Sequence, residues 1–532
     1  MKHTILLILI FAAGFLVRIY HVNDNPPSLY WDEASLGYNA YTIATSLKDE
    51  HGEFLPVARF TAFGDYKPPG YIYSIVPFIW FFDLNELSTR LPSILAGTGM
   101  VILTFFLVQE LFSSFPISAL SSFFVAISPW SILLSRAAFE ANLAAFFNLC
   151  GLFLFIKSMK RKSLLLLSFI FFVFSFYTFN ANRIIAPLFI MGLIFLYYRQ
   201  ILLNLRWLFV AVFISFFLLL PSFSFLQSKE SKVRFQEVTI FTNLVPVETA
   251  NRLIVADNDS LIAKIIHNRR ILYFLEFLRH YTDHFEGRFL FSRGDENLRL
   301  SIQDMGELYP FDLILILLGI YALWTGWKKE GLLLLFWALI VPIPAALARE
   351  TPHALRTVSI LPVYQILGAL GTWFVFRHIH QRSRLFGILC VTTIIFFQIF
   401  YFTHEYFIHY KVQYGGAWQY GYKQMVEYVL ANESKYENIF VTDALGRPYI
   451  FFAFYGKLPV DKLLRERVAQ PDIFGLWNVF SMGKIHMTTN GIENASGKTL
   501  AVTRAGYLPM GFSKVAQIDD LSANGVFDIG EK

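Results

Sequence analysis

Only two cysteines, Cys150 and Cys390, occur in 532 residues, and both lie inside apolar runs, so no disulfide framework and no thiolate zinc cluster can be built. Charged residues are equally scarce, at 16%. With a 55% hydrophobic share and 18% aromatics, that shortage excludes an ordinary soluble globule and points to a polytopic membrane protein. Neither a phosphate-binding P-loop nor a dinucleotide fingerprint is found. Internal repeats and low-complexity stretches are also missing. The formal net charge of +6 would suggest nucleic acid in a soluble protein. Here the basic residues cluster in short loops between apolar runs, which is the pattern of membrane orientation, and nucleic acid is not an expected partner.

What is present is a series of apolar runs. A helix needs about 20 residues to cross the hydrocarbon layer, and eleven runs meet or approach that length: 4–20, 90–110, 115–135, 140–157, 163–179, 184–199, 207–226, 310–327, 331–348, 357–376 and 385–403. A twelfth, 68–82, decides the topology. If it does not cross and the N-terminus is cytoplasmic, the inner loops hold Lys157, Lys160, Arg161, Lys162, Arg199, Arg206, Lys328, Lys329, Arg377, Arg382 and Arg384. The short outer loops then hold only Arg136, Arg183, Arg349 and Arg356. That asymmetry fits the positive-inside rule, and the opposite choice breaks it. Residues 68–82 and Ala34–Leu47 therefore read as juxtamembrane helices on the outer face, the first opening on Pro68-Pro69. The N-terminal run has no small-residue cleavage site after it and reads as an uncleaved anchor.

Two domains follow from this layout: a transmembrane catalytic domain over 1–403, with outer loops at 21–89 and 227–309, and a small extracytoplasmic α/β domain over 404–532. In the tail, Gly421 to Ala431 has helical periodicity, Asn438 to Thr442 reads as a buried strand, and Tyr449 to Tyr455 as a strand or an apolar helical turn.

The chemistry-capable residues gather in the outer segments. The first loop sets Asp32 and Glu33 beside Tyr30 and Trp31 shortly after the first span, then Asp65 and Lys67 in Gly64-Asp65-Tyr66-Lys67-Pro68-Pro69-Gly70. A carboxylate that can deprotonate a hydroxyl, close to a lysine that can neutralise a phosphate, is what transfer from a phosphate leaving group requires. An acid pair opening a helix is otherwise explained by the helix dipole. Arg136, Glu140, Asn180, Arg183 and the run Arg349 to Arg356, with His353 inside it, flank spans on the same side. Such residues are as often interface anchors as functional groups. His280 and His284, at i and i+4, could hold a metal on a helix face, although no third ligand is in view.

These residues resemble the GT-C membrane glycosyltransferases, in the bacterial branch related to protein mannosyltransferases and the lipid A aminoarabinose transferase. The resemblance rests on Trp31-Asp32-Glu33 after one span, Lys67-Pro68-Pro69, Arg90-Leu91-Pro92-Ser93 and Ser128-Pro129 ahead of Arg136 and Glu140. It covers about residues 1–400 and fades in the tail. It implies transfer of a sugar from a polyprenyl-phosphate carrier to an acceptor (protein, lipid or glycan) at the outer face of the bilayer, with inversion. Asp32 would be the catalytic base and Glu33 its partner, with Asp65, Lys67, Arg136, Glu140, Arg183, His353 and Arg356 binding substrate. Arg356 and Lys67 would grip the donor phosphate. Tyr66 intervenes between Asp65 and Lys67, which the related aminoarabinose transferases keep adjacent, so a metal on Asp65 is in doubt; a divalent metal stays open and no cofactor is assigned. The rival reading is a transporter or flippase of lipid-linked sugars, which would show repeats and binding groups near the bilayer midplane.

Overall fold

The computed structural model describes residues 1–63, 65–228, 231–232, 236, 238–378, 384–471 and 477–532; Arg382, one of the inner-loop cations, lies outside them. The chain folds as two compact units. One comprises Met1–Gly14, Gly97–Leu134 and Ala141–Ile399; the other comprises Phe15–Ala96, Ser135–Glu140 and Phe400–Lys532.

Every one of the eleven apolar runs is helical. Among the described residues, six helices are long and apolar enough to cross a membrane: Lys2–Ile19, Glu86–Phe112, Glu140–Ser158, Leu205–Gln227, Lys328–Ala346 and Leu385–Gln413. Two more runs are broken. Phe115–Ile127 and Pro129–Ser135 meet at 54°, and Ala354–Ile360 and Val363–His378 at 53°. The cause is proline chemistry: Pro129 and Pro362 have no N–H to donate, and each forces its predecessor out of the helical region, Ser128 to ψ 126° and Leu361 to ψ 135°. The remaining three, Leu164–Phe176, Asn182–Leu196 and Asp312–Gly326, are 13 to 15 residues long. They fall short of the roughly 20 residues of a straight crossing.

In the first unit, helices Asp312–Gly326 and Val363–His378 lie backbone to backbone. A Cβ on Gly319 would strike the carbonyl of Leu367, and one on Gly371 the carbonyl of Leu315. Where lipid supplies no hydrophobic drive between helices, small residues of this kind permit the close approach that dispersion requires.

The second unit carries the first loop and the tail. The two juxtamembrane candidates are helices Trp31–Ser46 and Gly70–Phe82, and between them run strands β1, Phe60–Ala62, and β2, Asp65–Lys67, paired antiparallel with Phe60 opposite Lys67. The tail forms a seven-stranded sheet of β3 (Asn438–Val441), β4 (Arg467–Pro471), β5 (Trp477–Met482), β6 (Ile485–His486), β7 (Thr499–Arg504), β8 (Ser513–Asp519) and β9 (Gly525–Glu531). Their order is β4-β5-β6-β3-β7-β9-β8. Central β3 runs parallel to β6 and β7, and its Ile439, Phe440 and Val441 are all buried, as a strand covered on both faces demands. The expected helix is Tyr422–Asn432. Tyr449 to Tyr455 resolves as a helix opened by Pro448, a residue suited to a first turn. That helix seats against the first loop: a Cβ on Gly37, in helix Trp31–Ser46, would meet Phe454 at 2.6 Å.

Candidate active site

The loop that leads from the first helix to Asp32 is fixed by two buried arginines. Helix Lys2–Ile19 ends with carbonyls that have no partner within the helix. Arg136 supplies it. Its Nη1 donates to the carbonyls of Val17 (2.6 Å) and Arg18 (3.1 Å), its Nη2 to those of Tyr20 (2.6 Å) and Asn25 (2.7 Å), and its Nε to the Tyr406 hydroxyl (3.2 Å). All five guanidinium N–H groups are spent on the chain itself, and the side chain is fully buried. Arg136, expected to bind substrate, is thus placed at the end of a helix with its donors on the loop that follows.

Arg90 does the same one step further along. Nη1 donates to Val22 and Pro26 and Nη2 to Ser28, all backbone carbonyls, while Nε and Nη2 each reach a Glu33 carboxylate oxygen at 3.0 Å. Glu33 also accepts the Ala138 N–H at 2.8 Å, and neither member of the pair has any exposure. A carboxylate held bidentately by a guanidinium and sealed from solvent has no route to a substrate. Glu33, expected as the catalytic partner of Asp32, is thus placed against Arg90 and away from solvent.

Asp32, the adjacent residue, is differently placed. It lies in the first turn of helix Trp31–Ser46, accepts a 2.7 Å bond from the Lys67 ammonium, and is 27% exposed against 5% for Lys67. Lys67 ends β2, and Pro68-Pro69 follows immediately, so the hairpin register fixes where its stem leaves the backbone. The backbone of Asp65 stands in the same strand, and its side chain lies outside what the structure describes.

The tail completes this site, which the sequence did not disclose. Gln419 accepts the Trp31 N–H at 2.8 Å, satisfying an otherwise unpartnered donor at the helix start, and donates to the Leu445 carbonyl. Gly446 follows with φ +140°, and a side chain there would strike both Gln419 and the Trp31 ring. Arg447 donates to the Phe63 carbonyl and covers the Phe63 ring at 5.1 Å. Glu140 opens helix Glu140–Ser158 as a first-turn acid.

A buried titratable group backs the site. Glu50 accepts from Asn39 (3.1 Å) and Tyr449 (3.4 Å), and its carboxyl is pushed up to about 7 by burial, with Asn39 and Arg467 pulling the other way. Neighbouring His51 is drawn down to about 3 by burial and then by Arg467 and Arg59. Between 4.5 and about 7 the folded state keeps a proton on Glu50 that the unfolded chain has lost, so stability falls as pH rises. His51 has the opposite sign: between 6.5 and about 3 the unfolded chain takes up a proton that the folded state refuses, so stability falls with pH. The two oppose each other across the mildly acidic range. Glu50→Gln removes one of them. The variant should match wild type near pH 4 and gain up to roughly 3 kcal/mol at pH 8. Thermal melts across that range check it, and a variant that melts no higher than wild type at pH 8 contradicts it.

The other expected residues belong to the first unit. His353 Nδ1 lies 3.6 Å from the Asp295 carboxylate, which accepts the N–H groups of Ala354 (2.7 Å) and Asn297 (2.8 Å) and so ties the long loop to the start of helix Ala354–Thr357. Burial raises Asp295 to about 6 and holds the His353 imidazole well below its ordinary range. Arg356 bonds the Glu350 carbonyl at 3.2 Å and lies 3.7 Å from its carboxylate. Arg183 stands over the Phe176 and Phe225 rings. His280 and His284 are both buried, and each uses its Nδ1 on a backbone carbonyl, the first on Ala348 and the second on His280.

Comparison with known proteins bears on the fold. Residues 8–239 match the model of the family described as dolichyl-phosphate-mannose-protein mannosyltransferase, PMT. The Bacillus subtilis (strain 168) protein YkcB, which carries a provisional mannosyltransferase designation, is 27% identical over 173 residues, 32% of this chain and 23% of that protein's length. ArnT from Cupriavidus metallidurans, solved bound to undecaprenyl phosphate, superposes with a TM-score of 0.56 at 12% identity over 98% of this chain and 97% of its own. The Archaeoglobus fulgidus oligosaccharyltransferase AglB, solved with an inhibitory peptide and a dolichol-phosphate, gives 0.51 at 13% identity over 85% of this chain and 63% of its own. At such identities the structural likeness establishes the fold.

Proposed function

We infer, for a chain whose residues 8–239 match the PMT family and whose fold is that of ArnT, a membrane glycosyltransferase that takes a sugar from a polyprenyl-phosphate carrier and passes it, with inversion, to an acceptor hydroxyl. The observation that supports this most directly is the contrast between two adjacent carboxylates. Glu33 is sealed against Arg90, whereas Asp32 is partly exposed and held by Lys67 at 2.7 Å.

In the reaction, the acceptor oxygen attacks the anomeric carbon on the face opposite the phosphate. Asp32 takes the hydroxyl proton as the C–O bond forms, and polyprenyl phosphate departs with the bonding pair. A cation that meets charge developing on the leaving phosphate lowers the barrier more than one that binds the ground state equally well. Lys67 fills that role, and Arg356, a planar fork suited to phosphate, is our second assignment for donor binding, with Asp65, Glu140, Arg183 and His353 as further contacts to substrate.

The test is turnover by the reconstituted full chain: a polyprenyl-phosphate sugar and a panel of protein, lipid and glycan acceptors should yield free polyprenyl phosphate and glycosylated acceptor. Movement of the intact donor across the vesicle with no bond broken would establish a flippase instead.

The charge asymmetry of the loops supports a cytoplasmic N-terminus with the tail on the outer side. Ser496 and Lys160 are both exposed. With Cys150 and Cys390 replaced by alanine, an impermeant thiol reagent added to intact cells should label Ser496→Cys and leave Lys160→Cys unmodified. The reverse pattern would invert the topology.

A further inference from the structure

His404, Glu405 and His409 present ligand atoms that all lie within 4.8 Å of one another, the one such group of three among the described residues. They stand where helix Arg384–His404 passes into a π-helical turn, Glu405–Tyr410. In a regular α-helix the side chain above residue i belongs to i+4; the wider i→i+5 closure of a π turn brings the fifth residue round instead. The His404 and His409 rings are neighbours for that reason, with centroids 4.8 Å apart, and the Glu405 carboxylate is 3.5 Å from His404 Nδ1.

The turn is fixed from its other side. Tyr406 and Tyr410 are buried, Tyr406 accepting from Arg136 and Tyr410 from the Trp418 indole N–H at 3.0 Å. With both tyrosines committed inward, His404 is left 43% exposed and Glu405 18%. The helix is also longer than the hydrocarbon layer is thick. Leu385–Gln413 has 29 residues, about 43 Å of helix against a core of about 30 Å, so it extends past the apolar layer.

We propose that His404, Glu405 and His409 bind a divalent transition metal, Zn²⁺ by preference, and leave a fourth position to water or to an anionic oxygen. Two imidazoles and one carboxylate suit zinc and its borderline neighbours, whereas magnesium and calcium select all-oxygen shells. Bonds of about 2.0 to 2.2 Å in a tetrahedron set ligand atoms roughly 3.4 Å apart, a contraction that side-chain rotation, freest at exposed His404, supplies. The π turn then has a purpose: it stacks two histidines that a regular helix would splay.

The full chain, purified without a histidine tag and stripped with a chelator, should take up one Zn²⁺ per molecule in equilibrium dialysis. His404→Asn and His409→Asn should each weaken binding by roughly tenfold or more, as loss of even an outer-shell partner does at metal sites. His267→Asn, in the first unit, should leave it unchanged. Zn²⁺ should also raise the melting temperature of wild type and of His267→Asn but not of the two site variants, whose own melting transitions report that they are folded. Absence of stoichiometric Zn²⁺ on wild type, or affinity in either site variant equal to wild type, overturns the assignment.

Discussion

Asp32→Asn should leave a folded protein that transfers sugar about 10²- to 10⁴-fold more slowly, the contribution typical of a positioned general base. The substitution is nearly isosteric. An amide oxygen still accepts the 2.7 Å bond from Lys67, so the hairpin end and the first turn of helix Trp31–Ser46 keep their arrangement. What the amide cannot do is accept the acceptor's proton. Donor affinity, measured by binding of polyprenyl phosphate, should stay within a few-fold of wild type, which places the loss in the chemical step. Transfer by purified Asp32→Asn at near wild-type rates would remove the base assignment. Lys67→Met separates the partner's role: if the ammonium meets phosphate charge, both donor affinity and rate should fall together.

Much of the scaffold was legible because bilayer physics leaves few choices. A run of apolar residues of spanning length must close its own hydrogen bonds, so all eleven runs are helical, two of them in broken pieces. The breaks at Pro129 and Pro362 were written in the proline, and only the length of the surrounding apolar run concealed them. Asp32 and Lys67 fell in one loop, and the hairpin Phe60–Ala62 with Asp65–Lys67 explains how residues 35 positions apart are brought together. The roles of Arg90 and Arg136 were not legible. An arginine at the end of an apolar run looks the same whether it meets a lipid headgroup or a set of backbone carbonyls, and the choice is made by a loop conformation that no periodicity encodes. Gln419 was hidden for another reason: it reaches Trp31 across 388 positions, and a single glutamine beside a tight turn carries no pattern of its own.

The second large effect should come from Arg90→Met, which removes the charge opposite Glu33 where both are fully buried. Exposed ion pairs contribute little, but breaking a buried one strands its partner, at a typical cost of 3 to 5 kcal/mol. Here more is stranded than the carboxylate, because the carbonyls of Val22, Pro26 and Ser28 also lose their donor. The variant should melt well below wild type, and its inactivity, unlike that of Asp32→Asn, should come with loss of donor binding as the loop to Asp32 loosens. Arg90→Lys should rescue little: an ammonium has three donors on one nitrogen and cannot span a bidentate carboxylate and three separate carbonyls. The double variant Arg90→Met/Glu33→Met should recover part of the melting temperature lost in Arg90→Met, because the uncompensated charge goes with its partner. Recovery without activity would separate the cost of a stranded charge from the task of holding Asp32, whereas an Arg90→Met protein as stable as wild type would show that the loop stands without this clamp.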